Sequence, residues 1–247
     1  MNWRLLLICL FWCGAAVAEE IPAEIGWLDE RPLGTPLNGV VWEVKVAPGS
    51  RVPAGGLLVR LDDRVFRARF EEAQAALAQA EEDRAEAQRE LERSEELYDR
   101  TLLSEHDLQL AHIARKKAEA AYHAARTRWE SARFELDYAA IRAPFDAVVL
   151  EVRVAPGEAV ANAMQARPLV VVARAEGRAA RGRVGAELAT GLAPGRKVVV
   201  MAGGRRYRAE LQRVALKPDA KGGFVVEAAI EDGQGLAPGT PARIVIE

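Results

Sequence analysis

Hydrophobic positions along the chain change period in a way that divides it into blocks. In the stretch from Gly39 to Val52, Val44 and Val46 alternate with Glu43 and Lys45, the period-2 pattern of a half-buried strand. Ala47-Pro48-Gly49 then turns the chain, because proline presets φ and glycine accepts φ > 0. A second strand-like run, Leu57 to Leu61, follows a further turn at Gly55. The same pattern returns 108 residues later. Ala147 to Val160 repeats Gly39 to Val52 at nine of fourteen positions without a gap, including Ala155-Pro156-Gly157 in the turn. Each copy reads strand, tight turn, strand, and Gly39, Pro48, Gly49, Gly55, Pro156 and Gly157 are the candidate turn residues of the two halves.

Between the copies the period becomes helical. Phe66, Phe70, Ala73, Leu77, Ala80, Arg84, Ala87, Leu91, Ser94 and Tyr98 are spaced alternately by four and three. Leu108, Ala111, Arg115, Ala118, Tyr122, Ala125, Trp129, Ala132, Leu136 and Ala139 continue the pattern in a second segment. Neither segment contains proline or glycine, so two long heptad helices are predicted. Ser104, with Asp107 three residues on, reads as the cap that starts the second. The connection is so short that only an antiparallel αα-hairpin fits, with helices of about 35 residues and a length of roughly 50 Å. An antiparallel hairpin returns the chain to its starting point, so the two β-halves are expected to pack together as one small sandwich. From about Arg174 the pattern is short strands with Leu-Ala-Pro-Gly punctuation at 192–195 and 236–239, which predicts a small β-barrel. Glu24 to Leu28 is a candidate strand of that barrel.

Composition narrows the function. The 247 residues carry 34 Lys+Arg against 36 Asp+Glu, a formal net charge of −2, so no whole-chain basic field for nucleic acid exists. Charge is nevertheless uneven: residues 62–138 hold 13 basic and 19 acidic groups, whereas 174–217 hold eleven and three. A basic barrel fits anionic headgroups or an acidic protein surface, or simply arginines alternating outward on solvated strands. Carboxylates are plentiful but lie on heptad faces, and no P-loop, HExxH or Ser/His/Asp arrangement is present. His106, His112 and His123 do not share the i,i+4 spacing of paired metal ligands. No catalytic residue, metal or cofactor is assigned.

The first residues read as an export signal. A short positive start is followed by an apolar run, Leu5 to Val17, and by small residues at Ala16 and Ala18 before Glu19. That run is shorter than the ~20 residues of a bilayer-spanning helix, so a signal peptide over 1–18, cleaved, is favoured over a retained anchor. Both cysteines, Cys9 and Cys13, lie inside it, and the remainder has none to form disulfides.

A split β-repeat around a helical hairpin, followed by a barrel, resembles the membrane fusion proteins, the HlyD-like periplasmic adaptor subunits of tripartite efflux systems. Gly39 to Asp62 is similar to the first lipoyl half-motif of that family, and Tyr138-Ala-Ala-Ile-Arg-Ala-Pro-Phe-Asp-Ala-Val-Val149 to its entry into the second. The resemblance implies an α+β fold: a split lipoyl-like β-sandwich (barrel-sandwich hybrid) from residues 39–62 and 139–173, a coiled-coil hairpin at 63–138 and a barrel at 174–247, with 19–38 pairing into the barrel. It further implies a non-enzymatic adaptor in the periplasm, associated with the inner membrane through a transporter of RND or ABC type. Its other partner would be an outer-membrane channel of TolC type, and its working state a hexamer-like ring. In adaptors that dock on such channels the hairpin tip carries Arg, Leu four residues on and Ser seven after that; Arg93, Leu97 and Ser104 stand at those spacings. With Ser94 and Tyr98 on the seam, Arg93 and Leu97 are expected on a neighbouring, open face. Two departures stand out. The second half carries Val160 to Leu169 where a shorter turn is the family pattern, and the further membrane-proximal domain usual after the barrel has no counterpart in this sequence. Two other classes stay open: an exported structural coiled-coil/β interaction protein, which leaves the repeat unexplained, and a biotin or lipoyl carrier. A carrier needs a lysine between the halves, and Asn162-Ala-Met-Gln165 offers glutamine outside that position.

Overall fold

The computed structural model describes residues 19–161 and 167–246; residues 1–18, where a signal peptide is expected, 162–166, which include the Asn162 to Gln165 run, and 247 lie outside the described residues. In chain order the strands are β1 (Glu19–Trp27), β2 (Arg31–Leu33), β3 (Gly39–Val44), β4 (Arg51–Val52) and β5 (Leu57–Leu61). Helices α1 (Arg64–Asp99) and α2 (Glu105–Tyr138) come next, then β6 (Ala140–Arg142), β7 (Ala147–Val152), β8 (Ala159–Val160) and β9 (Val170–Arg174). The last block is β10 (Arg178–Val184), the short α3 (Ala186–Gly191), β11 (Lys197–Ala202), β12 (Arg205–Val214), β13 (Phe224–Ile230) and β14 (Pro241–Ile246). The described residues form two compact units, one within 31–172 and one of 19–30 with 173–246.

In the first unit, two four-stranded sheets, β2-β9-β7-β4 and β6-β5-β3-β8, face each other over Val41, Leu58, Leu61, Val149, Leu169 and Val170. The repeat explains why they close. Gly49 N–H donates to the Val149 carbonyl (2.8 Å), and 108 residues on, Gly157 N–H donates to the Val41 carbonyl (2.8 Å). The return bonds match as well: Val149 N–H to Ser50 O (2.9 Å), and Val41 N–H to Glu158 O (2.9 Å). Each half thus lends its turn and a two-residue strand to the other, Arg51–Val52 to β7 and Ala159–Val160 to β3. The turns need left-handed glycines, and Gly49 and Gly157 have φ of 89° and 86°.

The hairpin leaves this sandwich where β5 ends. Leu61 N–H bonds the Ala139 carbonyl (2.8 Å) and Asp62 N–H bonds Val40 O (2.8 Å), so both helix roots are tied to the sheets. The Arg64 guanidinium and amide hold the Asp62 carboxyl down at about 2, keeping it charged at the start of α1. Along the seam the expected residues pack inward as far as Ser94, with Ala80, Leu91, Ala125 and Ala132 buried. Phe70 meets Trp129 (ring centroids 6.2 Å), and the seam arginine Arg84 stacks on Tyr122 of the other helix, 4.0 Å from the ring centre. Arg115 instead pairs along its own helix with Glu119.

Residues 19–38, expected to join the barrel as one segment, divide between the units. β1 pairs with β10 and β14, but Arg31–Leu33 adds to the sandwich beside Val170–Val172. The turn that parts them contains Asp29 at φ 53°, and its carboxylate accepts from Arg174 at 2.7 Å. Six strands in the order β1-β10-β13-β12-β11-β14 close the barrel around Ile25, Val200, Leu211, Val226 and Ile244. Closure leaves no exposed sheet edge. On its outer side, Glu227 is buried and accepts from both Arg181 (3.2 Å) and Arg213 (2.8 Å).

Candidate functional site: the hairpin tip

The distal end of the hairpin is built by a helix stop, a three-residue reversal and a helix start. α1 ends in a Schellman motif: Leu102 N–H reaches back to Leu97 O (2.9 Å), Thr101 N–H to Tyr98 O (2.8 Å), and Thr101 takes φ of 60°. α2 begins at Ser104, whose hydroxyl accepts from Asp107 N–H (3.2 Å) and donates to the Asp107 carboxylate (2.6 Å). A β-branched residue in the left-handed region costs about 1 kcal/mol or more relative to glycine. Thr101→Gly is therefore expected to raise the thermal unfolding temperature of the hairpin; an unchanged or lower value in a melt of the purified protein would show that the reversal is held from elsewhere.

Arg93 lies on the open side of α1, 63% exposed, with its guanidinium 2.7 Å from Glu90. Ser104 is exposed and occupied by its capping role. Leu97 departs from the expectation. It is half-buried, and Tyr98, placed on the seam by the heptad count, is 40% exposed. The cause is the helix end: beyond Ser94 the seam steps three residues to Leu97, whose carbonyl also receives the Leu102 amide. Large apolar groups open to a partner at this end include Tyr98 and, at the apex, Leu102, 70% exposed. Sequence reasoning missed Leu102; its position in the only polar connection between two heptad runs was the available signal.

The turn residues fall as follows. Pro48-Gly49 and Pro156-Gly157 make the twin turns, and Gly55 has φ of 77°. Gly39 opens β3 instead, where a Cβ would meet Leu61 Cδ1 at 3.3 Å, so it serves close packing. No group of three His, Cys, Asp or Glu able to hold a metal occurs among the described residues.

The architecture is thus a long antiparallel helical hairpin carried on a two-half β-sandwich, with a six-stranded barrel beside it in sequence. The family described as the RND MFP alpha-helical hairpin domain matches residues 69–139. The multidrug resistance protein MdtA of Pectobacterium carotovorum is 33% identical over 108 residues, 44% of this chain and 26% of that protein. The multidrug export protein AcrE of Escherichia coli is 27% identical over 146 residues, 59% of this chain and 38% of its own length. The chain thus aligns with well under half the length of either curated relative. Among solved structures, a MacA–MexA chimera bearing the Pseudomonas aeruginosa MexA hairpin superposes with a TM-score of 0.65 at 20% identity, covering 93% of this chain and 81% of the chimera. The membrane fusion protein Spr0693 of Streptococcus pneumoniae gives 0.64 at 16%, covering 93% and 99%. Residues 69–139 thus match that hairpin family, and the chain shares its fold with membrane fusion proteins of known structure.

Proposed function

We propose that this protein is the periplasmic adaptor of a tripartite efflux pump, bridging an inner-membrane transporter to an outer-membrane channel of TolC type. The observation that carries the reading is the hairpin, matched by an RND-type family over residues 69–139 and ending in Arg93, Leu97 and Ser104. That match also supports an RND rather than an ABC transporter as the inner-membrane partner. The work of such a protein is bridging, so its chemistry is that of complementary surfaces. An exposed cation and the apolar Tyr98 and Leu102 at the tip supply a charge-assisted donor and knobs for partner helices. No helix among the described residues is long and apolar enough to cross a membrane, and association with the inner membrane would run through the transporter.

The direct test is reconstitution: the full chain, a purified transporter and a purified channel are mixed in lipid nanodiscs. Co-elution of transporter with channel only when the chain is present supports the proposal; equal recovery without it overturns it. The assembled state is expected to be a hexamer-like ring that the isolated chain forms only weakly. Native mass spectrometry of the complex should return six adaptor copies, and a single copy in a working pump would contradict the ring.

A further inference from the structure

The loop between β12 and β13 presents apolar and basic side chains that neither the barrel core nor the bridging role of the hairpin uses. Leu216 is 97% exposed, more than any other large apolar side chain among the described residues. Pro218 and Ala220 are exposed beside it, with Lys217 and Lys221 between and after them. A single leucine in water is ordinary at a protein surface. This one is held out by a built loop. The Ala215 amide donates to Val225 O (2.8 Å), the Asp219 amide donates to Gly223 O (2.8 Å), and Gly222 turns the chain at φ of 79°. The Asp219 carboxylate accepts from the amides of Lys221 (2.9 Å) and Gly223 (3.2 Å), and its other oxygen accepts from Arg183 of β10 (2.6 Å).

Asp219, the loop's own carboxylate, is thus turned to Arg183 and to backbone, whereas neither Lys217 nor Lys221 has an ion pair among the described residues. Other carboxylates at this end of the barrel lie outside the loop: Glu210 stands opposite Lys197, Glu187 is on α3, and Glu19 opens β1. The unpaired positive charge is therefore local to the tip that carries Leu216. Strand register also places the start of the barrel here. β10 ends at Val184 opposite Phe224, where the loop rejoins β13, and β1 begins at this same end with Glu19 opposite Ile246. Shortly before Glu19 in the sequence comes the apolar run Leu5 to Val17. As an export signal, that run would hold this end of the barrel at the bilayer surface until it is cut.

We infer that the Leu216 loop is a lipid-binding site that places its leucine among the acyl chains of a bilayer while Lys217 and Lys221 meet anionic headgroups. Surface binding of this kind draws on buried apolar area and on attraction to anionic lipid together, and the loop supplies both at one tip. Lysine on its flexible stem acts as a point charge for phosphate, and each one near an anionic leaflet adds to the attraction. A stable protein interface buries a broad patch, whereas the apolar surface here is confined to one side chain and its small neighbours. One loop gives weak, reversible binding, which orients a protein at a membrane rather than anchoring it. The contact is direct and additional to any made through a transporter. It is independent of hairpin docking and of the pump reading.

The test uses the exported chain, from Glu19 on, which has no cysteine of its own, and vesicles of phosphatidylglycerol with phosphatidylcholine. A nitrobenzoxadiazole label on Leu216→Cys should shift its emission to the blue when vesicles are added, and nitroxide on the acyl chains should quench it. The same label on Ala237→Cys, exposed at the opposite end of the barrel between β13 and β14, should do neither. In vesicle flotation of unlabelled protein, Leu216→Asp should weaken binding by about tenfold or more. Lys217→Glu with Lys221→Glu should do the same at low salt, and pure phosphatidylcholine should bind the parent chain about tenfold less well. Thermal unfolding should be unchanged in every variant, because the altered side chains are exposed. No shift at residue 216, equal shifts at 216 and 237, variants that float like the parent, or equal binding to pure phosphatidylcholine would each overturn the proposal. Loss of self-association or of transporter binding in Leu216→Asp, with vesicle binding intact, would assign the loop to a protein and overturn it as well.

Discussion

Arg93→Asp is expected to abolish drug efflux, or nearly so, in cells that depend on this protein, while leaving its fold and abundance unchanged. The side chain is 63% exposed and forms an i,i+3 ion pair with Glu90. Exposed pairs of this kind contribute little to stability. The substitution places two carboxylates one turn apart on an open helix face, a cost of a few tenths of a kcal/mol. At a partner channel the same change removes a charge-assisted donor and sets a negative group against carbonyl-rich helix ends, which repel it. Efflux of a fluorescent dye, with immunoblotting and a thermal melt as controls, separates the two effects. Normal pumping at equal expression would remove the tip triplet as an argument for docking. Leu97→Ala gives a mixed result, because the half-buried side chain also closes the last turn of the seam. Ser104→Ala is mixed too, since it removes a cap worth about 1 kcal/mol.

Leu61→Ala should lower stability by about 3 kcal/mol, within the usual range for a fully buried leucine. Leu61 ends β5, pairs in register with Val41, and sits where Gly39 closes upon it at 3.3 Å. Its backbone amide also ties the sandwich to Ala139 at the end of α2. A cavity there would loosen both sheets and the root of the hairpin together. Urea unfolding followed by tryptophan fluorescence should show a lower midpoint with an unchanged slope. A shift under about 1 kcal/mol would mean that the neighbouring side chains collapse into the space.

Much of this architecture was legible because it rests on periodicity. The repeat of Ala-Pro-Gly at an offset of 108 pointed to two halves that meet, as the reciprocal bonds from Gly49 and Gly157 do, and the heptads marked the positions that turn inward up to Ser94. What escaped was local geometry that breaks a period. Tyr98 and Leu97 exchanged roles because a Schellman stop changes the step of the last turn. The division of residues 19–38 depended on one left-handed aspartate, Asp29, which no hydrophobic pattern announces. For the tip, the family resemblance pointed to Arg93 and Ser104, both of which the fold leaves exposed, whereas the exposed apolar apex at Leu102 emerged only with the fold.

Because both roots of the hairpin are fastened to one sandwich, its reach is available only in discrete increments. Deleting a single residue from α1 would rotate Arg93 by about 100° relative to the sheets and put every later seam position out of phase with α2. Removing seven residues from each helix, for example 78–84 with 119–125, nearly preserves the facing direction and shortens the arm by about 10 Å. Adaptors built on this plan should therefore differ in arm length by matched heptads in their two helices, and the gap a given pump can span is counted in those units.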